Sequence, residues 1–406
     1  MAKFTSYQRR LFVLLSVANF FEGYDFLALG QILPNLRADL HLTEAQGGLL
    51  VTVIGIGTML AYGVVRLADR VGRRPIMMTT VLGYALFTGL SGLAPGIVTF
   101  AVFQLLARVF LICEWAMAMI YAAEEFPAEQ RGFAIGVLQA WSAFGSIVCA
   151  GVVPVLLKTA YGWRSVYFVG IAPLLLLAYA RRGLKETTRF AALGAKATTP
   201  ASVPLMRIWH TPHRRRVVQL SFVWGLTYMC TQCAVFFWKE FAVHERGMTD
   251  GQVGASIAIA SLVSLPLVFL VGKLLDVWGR KPGATLIYVL LAISVVAAYQ
   301  LHGYWPLTIA LTGAIFSAAS VLAVLNSFTT ELFPTELRSD AFAWSNNLLG
   351  RIGYVIAPAI VGWAAGNIGW GSAVSLTAVT VVAALFLIIG ALPETARKEL
   401  EQTQAV

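Results

Sequence analysis

Apolar residues run in long stretches along this chain, and polar residues gather in short clusters between them. About 20 mostly apolar residues let a helix cross the ~30 Å hydrocarbon core of a bilayer. On that measure the pattern predicts twelve spans, at 11–36, 46–66, 76–93, 98–122, 132–157, 163–181, 217–242, 252–272, 283–301, 305–330, 340–365 and 370–391. The first is too long for a cleavable leader and carries Glu22 and Asp25, which a leader's apolar core would not. One extended polar stretch, Arg181 to Arg216, separates the sixth and seventh spans. The expected organisation is therefore a six-helix bundle at 1–182, a cytoplasmic linker at 183–214 and a second bundle at 215–406. A short amphipathic helix is expected in the linker near Val203–Trp209.

The polar clusters repeat. Leu-Ala-Asp-Arg-Val-Gly-Arg-Arg from Leu67 returns as Leu-Leu-Asp-Val-Trp-Gly-Arg-Lys from Leu274, an offset of 207 residues. At the same offset Glu124, Phe126, Pro127, Glu129 and Arg131 return as Glu331, Phe333, Pro334, Glu336 and Arg338, and Gly162-Trp163 as Gly369-Trp370. Three matches at one offset identify a duplicated unit. A duplicated bundle of apolar helices is the sequence signature of a secondary transporter.

Composition agrees, with 58% hydrophobic residues, 12% charged residues and a mean hydropathy of +0.74. The net charge of +10 would suit a nucleic-acid partner, but its placement does not. With both termini inside, 23 of the 30 Lys and Arg residues fall on the cytoplasmic side and five outside: Arg37, Lys158, Arg164, Lys239 and Arg246. That bias fixes a multi-pass orientation with cytoplasmic termini, and the location expected is a cell inner membrane. The partner is the lipid bilayer, and no nucleic acid is expected. Trp163, Trp305 and Trp370 open spans on the outer side as interfacial anchors. His210 and His213 have no further ligand near them, and Cys113, Cys149, Cys230 and Cys233 lie in spans as small buried residues, so neither set implies a metal or a disulfide. No nucleotide-binding motif is present. No cofactor is expected, and the chain is expected to be a monomer and not an enzyme.

Ionisable residues near the bilayer centre cost about 2.5–3.5 kcal/mol each on insertion scales and are rare without a role. Five lie in or near mid-span: Glu22, Asp25, Arg108, Glu114 and Arg351. Three acids and two arginines leave one formal negative charge, most cheaply corrected by a proton on a carboxylate. With no histidine in any span, proton coupling falls to Asp25, with Arg108 as the partner favouring its ionised form and Glu22 and Glu114 next in line. Arg351 is left to hold a substrate carboxylate bidentately. Tyr24, Gln139, Trp141, Tyr228, Gln232, Asn326, Trp344 and Asn347 are the mid-span aromatic and polar residues expected to line the substrate site, with Phe236 and Asn346 among their neighbours.

The repeated loop resembles the signature between the second and third helices of the major facilitator superfamily. The first copy supplies Asp69, Arg70, Gly72, Arg73 and Arg74, with Val65 where that pattern has glycine. The second supplies Gly272, Asp276, Gly279 and Arg280, with Val277 where it has a basic residue. The resemblance covers the whole chain. It implies twelve transmembrane helices in two six-helix bundles related by a pseudo-two-fold axis, and a conformational latch. Asp69 would accept hydrogen bonds from a helix N-terminus across the bundle interface, and the arginines would pair with Glu124 or Glu125. Arg131, Glu331 and Arg338 complete the latch by the repeat. Glu22-Gly23-Tyr24-Asp25, Arg108 followed by Glu114-Trp115, and Asn346, Asn347, Gly350, Arg351 and Pro358 resemble stretches of the aromatic acid and metabolite:proton symporters and of organic-ion transporters. The function implied is proton-coupled symport of a small organic anion, a monocarboxylate or aromatic acid, by alternating access.

A proton-driven drug or metabolite antiporter is the alternative, although the fifth span has Gly145, Gly151 and Pro154 rather than the exporters' Gly-Pro-x-x-Gly-Gly. A sugar:proton symporter would carry paired glutamines in the seventh span, which are absent, and Pro393-Glu394-Thr395 does not discriminate. A membrane sensor would need an output domain longer than the linker or tails.

Overall fold

The computed structural model describes residues 4–188, 191, 205–334 and 336–395. All regular structure among them is helical. α1 (Ser6–Asp39), α2 (Glu44–Val71), α3 (Arg73–Gly92), α4 (Ile97–Glu125), α5 (Ala128–Leu156) and α6 (Arg164–Ala180) come first. α7 (Arg214–Phe236), α8 (Trp238–His244), α9 (Asp250–Trp278), α10 (Arg280–Gln300) and α11 (Tyr304–Glu331) follow. The chain continues through α12 (Arg338–Phe342), a π-helical stretch (Ala343–Gly350), α13 (Arg351–Leu376) and α14 (Ala378–Ala391).

Nine helices among the described residues are long and apolar enough to cross a membrane, ten when the pair α7–α8, bent by 43°, counts as one. One of the nine, Arg338–Ala391, is two spans, because α13 breaks at Gly369 with φ +80°. With α3, a 20-residue helix, the expected twelve are all present.

The chain forms two compact units, residues 1–40 with 53–201 and residues 41–52 with 202–406. Each repeats one pairing scheme. In the first, α1 packs on α5 and α3 on α4 and α6; in the second, α7 packs on α13 and α10 on α11 and α14. The first unit closes over a core that includes Leu11, Leu15, Met77, Val81, Met117, Tyr121, Leu138 and Leu177. Residues 41–52, the first turns of α2, cluster with the second unit. Gly48 lies there against the backbone of Pro358 and Gly362, and Thr52 Oγ1 accepts from the Ala359 amide at 3.0 Å.

Local chemistry sets the helix starts. Thr5 with Gln8, Thr43 with Gln46 and Thr249 with Gln252 form reciprocal caps at α1, α2 and α9. Gly72 and Gly279 hold φ at +110° and +103°, a conformation open to glycine, and let the chain reverse directly into α3 and α10. The linker start docks on the first unit, where the Lys185 carbonyl accepts from Tyr121 Oη at 3.2 Å. Before the seventh span, Leu205–His210 form a 3₁₀ turn, and Arg207 donates to the Glu336 carbonyl at 2.6 Å. The earlier part of the expected amphipathic helix, Val203 and Pro204, lies outside the described residues.

One expectation changes. Trp163 and Trp370 are buried rather than interfacial, because each packs against neighbouring segments: Trp163 Nε1 donates to Asp39 at 2.9 Å, and the Trp370 ring lies tilted against Phe237 with centroids 4.7 Å apart. Trp305 is exposed. His210 is exposed, whereas His213 is tucked beside Phe333, where burial, reinforced by the Arg216 charge, holds its imidazole below the ordinary pKa.

Candidate functional site

Within the first unit the acidic turn of α1 lies between α3 and α5. Gly23 sits so close to Ser142 of α5 that a Cβ would collide with that residue's backbone, and Gly145 meets the Phe20 carbonyl in the same way. This close approach gives the glycine of Glu22-Gly23-Tyr24-Asp25 its purpose. It brings Ser142 Oγ to 2.5 Å from Glu22 Oε2 and Ser146 Oγ to 2.7 Å from the Gly23 carbonyl. On the other side Tyr84 Oη donates to Asp25 Oδ2, and Thr88 Oγ1 lies 3.4 Å from the same oxygen. Both carboxylates stay partly exposed, while Tyr84 and Thr88 are buried.

Arg108 is buried, and its charge reaches both carboxylates, but its guanidinium lies over the Phe26 ring at 5.6 Å and Nη1 has no hydrogen-bond partner. Here hydroxyls, rather than the expected arginine, satisfy Asp25. Glu114 stands apart. It is buried against Arg181 in an ion pair and accepts from Thr80 Oγ1 at 2.8 Å, which gives it a structural partner of its own. Tyr24 is buried with its hydroxyl 3.5 Å from the Val166 carbonyl. Gln139 and Trp141 lie toward the surface, Gln139 beside Trp115 Nε1 at 3.4 Å and Trp141 edge-on to Phe20 and Phe144.

In the second unit the Arg351 guanidinium packs against two rings, 4.9 Å from the centroid of Tyr228 and 5.0 Å from that of Tyr354, and the rings themselves meet edge to face. Tyr228 Oη donates to Asn346 Oδ1 at 2.8 Å, and Arg351 Nε has no hydrogen-bond partner. Arg351 follows directly on the π-helical stretch, whose last residue, Gly350, fits against Trp224 Cβ and the Ser345 carbonyl with no room for a side chain. Gly353 meets Gly225 just as closely, so α7 and α13 touch backbone to backbone on either side of the arginine. Of the other expected residues, Gln232 is buried on α7 and Asn347 is half-buried. Asn326 is exposed on α11, and Trp344 packs edge-on against Trp209 of the 3₁₀ turn. An apolar groove between α10 and α14, lined by Ile293, Val296, Leu376 and Val379, contains none of these residues.

The two copies of the loop motif build one ion-pair network each. Arg73 bridges Asp69 at 3.0 Å and Glu124 at 3.5 Å; Arg280 bridges Asp276 at 2.7 Å and Glu331 at 2.8 Å. The amides at the start of α3 go to Glu186, Arg73 N at 3.0 Å and Arg74 N at 3.1 Å. Glu394 takes those of Arg280 and Lys281, each at 2.8 Å. Arg70 is exposed, and Arg131 and Arg338 are half-buried in the first turns of α5 and α12. Among the described residues no group of three His, Cys, Asp or Glu could hold a metal.

Sequence reasoning missed Tyr84, Thr88, Ser142, Tyr354, Glu186 and Glu394. A signal existed for the first three, since Thr80, Tyr84 and Thr88 recur every fourth residue on an apolar helix, as do Ser142 and Ser146. For the glutamates, Leu184-Lys185-Glu186-Thr187 matches Leu392-Pro393-Glu394-Thr395 at an offset of 208, one more than the repeat already found.

The family model described as Major Facilitator Superfamily matches residues 15–238 and 220–405. The chain is 26% identical over 381 residues to the sialic acid transporter NanX of Escherichia coli, covering 91% of this chain and 90% of that one. It is 28% identical over 386 residues to a probable 4-methylmuconolactone transporter of Cupriavidus pinatubonensis, covering 92% and 88%. With the cis,cis-muconate transport protein of Acinetobacter baylyi it shares 25% over 404 residues, covering 96% and 94%. Its fold resembles that of a bacterial homologue of the human lysosomal transporter Spinster, with a TM-score of 0.78 at 15% identity, covering 95% and 97%.

Proposed function

The chain belongs to the major facilitator superfamily of transporters, and from that premise we propose that it moves a small organic anion with a proton across the cell inner membrane. The anion is a monocarboxylate or an aromatic acid, and transport proceeds by alternating access. The proton is the coupling ion and no cofactor takes part. The charge bias of the loops supports cytoplasmic termini, and a monomer suffices for the cycle.

One observation carries the substrate class. Arg351 lies in a membrane-spanning helix, walled by Tyr228 and Tyr354, with no carboxylate partner among the described residues and with Nε unbonded. A guanidinium so placed matches the two-oxygen geometry of a carboxylate, and its aromatic walls suit a flat or apolar body. Relatives named for sialic acid and for muconate support an acid as cargo. Asp25 supports the proton: it is a partly exposed carboxylate inside a span, held by hydroxyls that can donate to its ionised form and accept from its protonated one.

The test is a substrate-dependent pH change in proteoliposomes, screened across monocarboxylates, aromatic acids and sugars. An acid is expected to alkalinise the outer medium as it enters. Asp25→Asn should abolish uphill accumulation and keep counterflow, since exchange needs only the loaded carrier to reorient and Asn mimics the protonated acid. Accumulation by Asp25→Asn would move the proton elsewhere, to Glu22 first.

A further inference from the structure

Tyr84 holds its hydroxyl between two acceptors on α1, Oδ2 of Asp25 and the main-chain carbonyl of Phe21 at 3.1 Å. A phenol has one hydrogen to give, so it cannot serve both fully. While Asp25 is ionised, its carboxylate is the stronger acceptor and takes that hydrogen. Once Asp25 is protonated, it has a hydrogen of its own to donate. Tyr84 Oη can accept that hydrogen and turn its own toward the Phe21 carbonyl. No covalent bond changes in this exchange; two hydrogen bonds reverse direction.

The surroundings give the reversal a mechanical consequence. On the opposite side of this turn, Gly23 and Gly145 hold α1 backbone against α5 with no space for a side chain, and Ser146 fixes the Gly23 carbonyl at 2.7 Å. Movement of the acidic turn is therefore restrained toward α5 and has to be taken up on the α3 side, where Tyr84 stands. The titratable groups facing Asp25 are Glu22 and Tyr24 from its own helix, Tyr84 from α3, Arg108 from α4 and Tyr167 from α6. Cys149 of α5 faces Tyr24 and Tyr167. Of these, only Tyr84 forms a hydrogen bond with the Asp25 carboxylate, and Thr88 adds a longer one.

We propose that Tyr84 is the positioning residue through which the protonation of Asp25 is passed to the backbone of α1, its hydroxyl alternating between the Asp25 carboxylate and the Phe21 carbonyl. The proposal rests on Asp25 as the proton carrier. It makes Tyr84 a coupling residue that need not touch the substrate.

The experiment uses the full-length protein in proteoliposomes, with a transported acid identified by the screen above. It measures the external-pH profile of uptake and the rate of counterflow. Tyr84→Phe keeps the buried ring and removes the hydroxyl. Ionised Asp25 then loses its main donor, so the proton is held more tightly. The half-maximal pH of uptake should move up by about one unit, the size expected for one hydrogen bond to a charged group. Net uptake should fall several-fold because the proton leaves more slowly, while counterflow stays within about twofold. Thr88→Val should move the midpoint the same way by less. An unmoved midpoint in Tyr84→Phe overturns the proposal; if that variant fails to fold, an unmoved midpoint in Thr88→Val does so. Asp25→Asn, run in parallel, separates the two failures. If it still accumulates substrate, the carrier assignment has failed and the switch with it. If it does not, while Tyr84→Phe keeps the wild-type midpoint, the switch alone has failed.

Discussion

Arg351 differs from the other intramembrane arginine in what surrounds it. Arg108 shares its helical bundle with Glu22 and Asp25, whereas Arg351 has tyrosine faces on two sides and its Nε unbonded. The two rings stand nearly perpendicular to each other and bound the guanidinium on two adjacent sides, which restricts its orientation and leaves its fork free for two parallel bonds to a carboxylate. Lysine keeps the charge and loses both the plane and the fork. Arg351→Lys should therefore raise the KM for the acid about tenfold, which corresponds to about 1.4 kcal/mol, with expression unchanged. Initial-rate uptake across substrate concentrations checks it, and an unchanged KM would remove Arg351 from the substrate site. The residues that set this geometry differ in how far the sequence announces them. Arg351 stands out because charge is rare in a span, and Tyr228 because it neighbours other polar positions. Tyr84, Thr88 and Ser142 are announced only by their four-residue spacing, and a Ser or Thr hydroxyl in a membrane helix ordinarily bonds the carbonyl one turn back, as Thr227 and Ser264 do here. Only packing decides which hydroxyl turns to a carboxylate instead. The π-helical stretch at 343–350 is equally silent, since Ala-Trp-Ser-Asn-Asn-Leu-Leu-Gly reads as ordinary helix.

At the level of elements, the duplicated unit is stitched by carboxylates at both ends of its helices. Glu186 and Glu394 cap α3 and α10 from the end of each unit. On the opposite side, Asp39 accepts from Trp163 Nε1 and Glu245 from the amides of Trp370 and Gly371. The twelve spans were legible because hydrophobic length is a coarse and redundant signal that single residues do not upset. The caps were not, because a one-residue change in offset hides a four-residue match and because a cap is a contact between segments about 110 residues apart. A carboxylate that accepts two amide hydrogens at a helix start satisfies orphan donors and meets the positive end of the helix dipole. Glu394→Gln retains the shape and removes the charge, so it should lower the thermal midpoint in detergent by a few degrees. Glu394→Ala, which leaves both amides open, should lower it further, at a cost of about 1–2 kcal/mol. Differential scanning fluorimetry on the purified protein checks the order, and equal midpoints for wild type and Glu394→Ala would remove the cap's structural role.

For the whole molecule the decisive quantity is the charge moved per cycle. If one proton accompanies one monoanion, the loaded carrier crosses the membrane with no net charge from its cargo. The pH gradient then supplies the driving force, about 1.36 kcal/mol per pH unit. The membrane potential, worth about 2.3 kcal/mol per charge per 100 mV, supplies none. The uncompensated carboxylate expected among Glu22, Asp25, Arg108, Glu114 and Arg351 is removed by a sixth charge, Arg181, which pairs with Glu114. With Glu114 neutralised by Arg181, the remaining acids are Glu22 and Asp25 and the remaining bases Arg108 and Arg351. One proton and one substrate carboxylate enter that set together and leave its sum unchanged. Uptake in vesicles should accordingly rise with an inward proton gradient and stay nearly flat when a potential, negative inside, is imposed at equal pH. Radiolabelled acid in potassium-loaded vesicles treated with valinomycin gives the measurement. Strong accumulation driven by potential alone would reject one-to-one symport of a monoanion and leave either a neutral cargo or more than one proton per cycle. Transport of an uncharged analogue at the same KM would choose the neutral cargo and take Arg351 out of its role; loss of the analogue with retention of the acid would choose the higher proton ratio, with Glu22 as the second carrier.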